Sequence, residues 1–91
     1  MRRRRRTESR VVLTFTMHRA LLGAIESGKG LVAGDNGVIT ALRRRGLIQE
    51  TTNFITQAGR VACREGKIDE KSRPTWVGDM EWATYMSTWG K

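Results

Sequence analysis

Four side chains able to hydrogen-bond with base edges or phosphates recur at helical spacing in one short stretch: Asn36, Thr40, Arg43 and Arg44. Helical periodicity puts them on one side of that stretch, with Val38, Ile39 and Leu42 on the other. Arg presents two donors that match guanine O6 and N7, Asn can pair with adenine N6 and N7, and Thr can meet a phosphate or a thymine methyl. The plainer reading is the solvated face of an amphipathic helix. A second source of chemistry is the unbroken run Arg2, Arg3, Arg4, Arg5 and Arg6. Its self-repulsion predicts a disordered arm over residues 1–10 that calls for an anionic partner. Guanidinium forks suit phosphates and narrow minor grooves, whereas membrane-surface segments interleave apolar anchors that this run lacks. A nucleic acid is therefore the expected partner, with an acidic protein as the alternative and no membrane.

Catalytic chemistry finds less support. His18 is the only histidine and Cys63 the only cysteine, so neither an intrachain disulfide nor a Cys-rich zinc site is available. No motif near them supplies a Ser-His-Asp arrangement, a Cys-His pair, paired carboxylates or a phosphate-cradling loop. The expectation is a non-enzyme without cofactor or metal, with His18 exposed in a first helical turn and Cys63 a small core thiol. Trp82, Tyr85, Met86 and Trp89 form an aromatic stripe. It can complete the core of a small domain or serve as a dimer or partner interface.

The chain that must position these groups has 91 residues and a net charge of +8. Five of those eight charges belong to residues 1–10, three to residues 11–66 and none to residues 67–91. That length suits one domain with short appendages, held by hydrophobic packing. No apolar run is long enough to cross a membrane and no signal-peptide pattern follows the arginines, so a cytoplasmic protein, nucleoid-associated or in a host cytoplasm, is expected.

Thr14 or Thr16 can cap a helix beginning near Met17, where Met17, Ala20, Leu21, Ala24 and Ile25 share a face and Ser27-Gly28 ends it. Lys29 to Gly34 predicts a turn or a very short element whose apolar pair, Leu31 and Val32, reaches the core. Asp35 or Asn36 can cap a second helix running to about Arg45, closed by Gly46. Leu47 to Glu50 and Asn53 to Ile55, separated by Thr51-Thr52, read as a small hairpin. Thr56 caps a third helix that ends at Gly66. Residues 67–74 read as a polar linker, and Asp79 can cap a terminal helix.

Two stretches, Ala41-Leu42-Arg43-Arg44-Arg45-Gly46-Leu47-Ile48 and Ile55-Thr56-Gln57-Ala58-Gly59-Arg60, resemble the "aLrrrGLI … lT.aGR" pattern of bacterial winged-helix regulators of the MarR and PadR kind. The resemblance covers about residues 16–66. It implies a mainly α fold with a small β-hairpin (α+β): a winged helix-turn-helix over residues 11–66, with a basic N-terminal arm and an aromatic C-terminal helix. It also implies that Asn36 to Arg45 is the recognition helix and Gln49 to Phe54 the wing, with Thr52 and Asn53 at the DNA backbone. The wing has only a few residues between its strands, and the helix that usually precedes the recognition helix is hard to find in Gly28 to Gly34. The function implied is a DNA-binding transcriptional regulator of prokaryotic or phage type. The alternative is a protein-binding winged-helix module, such as a phage-encoded inhibitor of a host nucleic-acid machine (an RNA polymerase or a defence nuclease).

Overall fold

Thr14 starts the first helix: its hydroxyl accepts a hydrogen bond from the Met17 amide at 3.2 Å. Helix α1 spans Phe15–Glu26 in the computed structural model, which describes residues 12–89. The run Arg2 to Arg6, and with it the expected disordered arm, lies outside the described residues. The Phe15 amide, one of the donors that a helix start leaves without a partner, donates to the Ser72 hydroxyl at 2.9 Å. Ser72 in turn donates to the Asp69 carbonyl at 2.5 Å.

That bond belongs to a segment expected to be a linker. Instead, β2 (Lys67–Ile68) pairs in parallel with β1 (Val12–Leu13), in the register Val12 to Lys67 and Leu13 to Ile68, and a 3-10 turn follows at Glu70–Ser72. Leu13 and Ile68 are both fully buried. Two-residue strands carry no periodic signal, and polar residues that bind a distant helix end resemble solvated ones in a sequence.

Helix α2 (Asn36–Arg44) is capped by Asp35 rather than Asn36, with the Asp35 carboxylate accepting from the Val38 amide at 2.9 Å. Gly46 then takes a left-handed conformation (φ +73°) that reverses the chain, as a helix C-terminus commonly requires. The strand after it meets helix α3 (Gln57–Glu65) through Thr56. The Thr56 hydroxyl donates to the Gly46 carbonyl at 2.8 Å and accepts from the Gly59 amide at 3.1 Å. It therefore caps α3 and ties it to the turn after α2. Gly59 lies so close to the passing strand that a Cβ there would sit 2.2 Å from the Leu47 carbonyl oxygen and 2.7 Å from the Ile55 side chain.

The expected hairpin contracts to one antiparallel pair, Ile48 with Ile55. It gains a neighbour instead, because Leu31 pairs with Phe54 on the other side. The Val32 amide donates to Asn53 at 2.8 Å and the Ile55 amide to Gly30 at 2.7 Å. Of the apolar pair, only Val32 reaches the core; Leu31 stays half exposed. Among the described residues, a single helix, α2, stands between Leu31 and Ile48.

Helix α1 packs against α2 and α3, and the core gathers Met17 and Leu21 from α1, Leu42 from α2, Leu47 and Ile48 from the strand, and Ala62 and Cys63 from α3. Helix α4 (Asp79–Trp89) lays Tyr85 and Trp89 against this core. Arg73 bonds the Val77 carbonyl at 3.0 Å and the Asp79 carboxylate at 2.5 Å, so Asp79 anchors the turn before α4. The described residues thus form a mainly helical α+β fold of four α-helices with a two-stranded parallel sheet.

Two of the helical glycines, Gly59 and Gly23, should respond oppositely to Ala. Gly59→Ala forces a Cβ into backbone and should destabilise by about 2 kcal/mol or more, as overpacked sites do. Gly23, exposed in α1 with nothing within 4 Å of a Cβ, should gain about 0.5–1 kcal/mol as Ala. Urea denaturation of both variants checks the pair; equal responses would show that α3 does not lie against Leu47 as described.

Candidate nucleic-acid interface

On α2, Asn36, Thr40 and Arg44 are all exposed. A spacing of four residues stacks them in one row along the helix. None of the three makes a side-chain hydrogen bond to another described residue. Asn36 stands just inside the helix start because Asp35 performs the capping, and that leaves the Asn36 amide available. Arg44 stands in the last turn, where the helix dipole favours a cation.

Arg43 behaves differently. It is half-buried and reaches across to the 49–53 loop, donating from Nε to the Gln49 carbonyl at 3.3 Å and from Nη2 to the Asn53 carboxamide oxygen at 2.8 Å and the Thr52 carbonyl at 3.4 Å. Thr52 itself donates to the Gln49 side chain at 3.0 Å and accepts from the Phe54 amide at 3.3 Å. Arg43, Thr52 and Asn53 thus form one internal network that shapes the loop. The guanidinium keeps its positive charge at that edge, but its fork is already occupied. Of the four residues on the predicted polar face, the fold leaves three presented outward and turns one into a loop clamp. Sequence spacing cannot separate Arg43 from Arg44, because both lie on the polar side and only the position of the loop decides between them.

The terminal aromatic stripe turns towards the body. Trp82 packs its ring against Phe15 with centroids 5.6 Å apart, Tyr85 does so at 4.8 Å, and Trp89 lies 5.4 Å from the His18 ring. Met86 is half-buried. The apolar groups left exposed nearby are Trp76 and Met80, which sequence reading did not single out.

His18, expected to be exposed, is fully buried. Its Nε2 donates to the Cys63 carbonyl at 2.9 Å, and its Nδ1 meets the Tyr85 hydroxyl. If Nε2 carries the proton, Nδ1 is the acceptor and Tyr85 donates to it. One ring thereby joins α1, α3 and α4. The expectation failed because a lone His among Arg and Thr neighbours looks solvated, while its partners lie 45 and 67 residues away. The fold also makes the Cys-His pair that no local motif announced, with Sγ 3.6 Å from Nε2. Burial lowers the His18 pKa against the opposing effect of the Cys63 carbonyl. Burial, aided by Glu26 and opposed by Arg64, pushes the Cys63 thiol up to about 11, and burial likewise raises the Tyr85 phenol. A closed cluster of neutral groups joins helices; a reactive cysteine needs an accessible thiolate.

Among the described residues, no group of three or more His, Cys, Asp or Glu side chains is placed to hold a metal ion, and no helix is long and apolar enough to cross a membrane. Comparison with known proteins finds no match, whether to a protein-family model, a curated protein or a solved structure.

The buried imidazole predicts a pH response. With its folded pKa lowered from the usual 6.5, His18 contributes fully above that value, and its contribution falls as the pH drops below it, because the unfolded chain takes up the proton more readily. The urea midpoint of the native chain should therefore decline between about pH 7.5 and pH 5.5. His18→Gln, which can still donate to the Cys63 carbonyl, should start lower and lose most of that slope. An unchanged slope would assign the titration to another group.

Proposed function

We propose that the chain is a small DNA-binding protein, acting without chemistry of its own, and that it serves as a transcriptional regulator of prokaryotic or phage type. The observation that carries this reading is the row of Asn36, Thr40 and Arg44 on α2, exposed and without side-chain partners among the described residues, beside a loop whose shape is set by Arg43. A rigid helix offering Asn and Arg can read base edges in a major groove, which an α-helix fits. In the winged-helix reading α2 is the recognition helix and the 49–54 loop a short wing. Arg2 to Arg6 add contacts to phosphates or a minor groove that are indifferent to sequence.

A second reading, a protein-binding module of the kind that inhibits a nucleic-acid machine, draws on a different observation. Trp76 is 69% and Met80 85% exposed, and exposed aromatic and Met side chains are favoured at interfaces.

Binding to duplex DNA, followed by gel shift at several salt concentrations, separates the two. If about six phosphates are neutralised, log K should fall against log salt with a slope of about −5. Arg44→Ala should erode discrimination among sequences, with about tenfold or greater loss on the preferred site. Deleting residues 2–6 should weaken all sequences alike and flatten the slope. Arg43→Ala should lower stability as well as affinity, since it releases the loop. A native chain whose affinity ignores salt, or that does not bind DNA, would overturn the first reading; loss of partner binding in Trp76→Ala would support the second.

A further inference from the structure

Leu31 and Phe54 are directly opposed in their antiparallel bridge and share its outer face, while the Ile48–Ile55 bridge turns its side chains into the core. Leu31 is 51% and Phe54 45% exposed. About half of each side chain's surface is therefore open to a partner. The pair is also held firmly: the Val32 amide donates to Asn53, the Gln49 amide to Phe54 at 3.0 Å, and Arg43 clamps Thr52 and Asn53 just before the ring. The segments that build this surface and lead to it carry Lys29, Arg43, Arg44 and Arg45 against one carboxylate, Glu50. An exposed aromatic ring on a fixed backbone, within segments rich in cations, is the combination by which proteins hold unpaired bases.

We propose that Leu31 and Phe54 form a stacking platform for an unpaired base of a DNA strand, so that the chain prefers a junction between duplex and single strand to a blunt duplex. This rests on the DNA-binding reading and narrows its substrate. The α2 row would hold the paired side of the junction and Phe54 the first unpaired base beyond it.

The test is fluorescence anisotropy of the full chain with three labelled probes: a mixed-sequence blunt duplex, the same duplex with a short thymidine overhang at either end, and the same overhang made in RNA. The platform predicts about tenfold tighter binding to the DNA overhang than to the blunt duplex. Phe54→Leu should abolish that excess, bringing the overhung and blunt DNA probes to equal affinity, and Phe54→Tyr should retain it. Circular dichroism of Phe54→Leu and Phe54→Tyr establishes that both are folded. Equal affinity of the native chain for blunt and overhung DNA would overturn the platform while leaving DNA binding intact, whereas failure to bind any probe would remove the DNA-binding reading itself. Tighter binding to the RNA overhang would overturn the assignment to DNA. A native dimer that Phe54→Leu converts to monomer would identify a second copy of the chain as the occupant, and would equally overturn it.

Discussion

The close passage of Gly59 against the Leu47 carbonyl sets the rest of the arrangement. Any side chain at position 59 would push α3 off the strand that follows α2, and with it the pairing of Ile48 with Ile55. Thr56 completes the junction from both sides, capping α3 and holding the carbonyl of Gly46, the residue whose left-handed backbone turns the chain. Once α2 and that strand share a fixed corner, Arg43 can cross to the loop, and only then is Arg44 left alone on the outside. A constraint on one hydrogen atom at Gly59 thus propagates to the chemistry that α2 presents.

A second set of contacts fixes the opposite side of the molecule. His18 lies where α1, α3 and α4 meet, satisfied on both ring nitrogens and packed between Tyr85 and Trp89. An unsatisfied buried ring nitrogen would cost about 1–3 kcal/mol, so the partners and the ring depend on one another. The small sheet and Ser72 secure the entry of the chain into α1. The two halves divide the labour: the Thr56 corner presents the polar helix, and the His18 node closes the core behind it.

Local signals carried the reading of the sequence as far as local physics decides the outcome. Thr14, Asp35, Thr56 and Gly46 are caps and turns that act over three or four residues, and helices α1 to α3 follow from them. The resemblance in "GLI" and "T.aGR" also has a physical content, since Gly46, Leu47, Thr56 and Gly59 are the four residues of one junction. What escaped was non-local. The β1–β2 pair, the Ser72 bond to Phe15 and the His18 partners join residues more than forty positions apart, with no periodicity to mark them. For the candidate surface, helical spacing distinguished polar from apolar faces, yet only the folded loop could separate Arg43, a clamp, from Arg44, which stays exposed.

The central claim is that the α2 row and the adjoining loop form the surface that meets DNA. Its most direct test is a titration of the isotopically labelled full chain with duplex DNA, followed by the amide resonances. The account predicts shifts concentrated at Asn36, Thr40, Arg44 and residues 49–54, with α4 and the His18 surroundings undisturbed. Shifts centred on Trp76, Met80 and α4, or none at all, would contradict it.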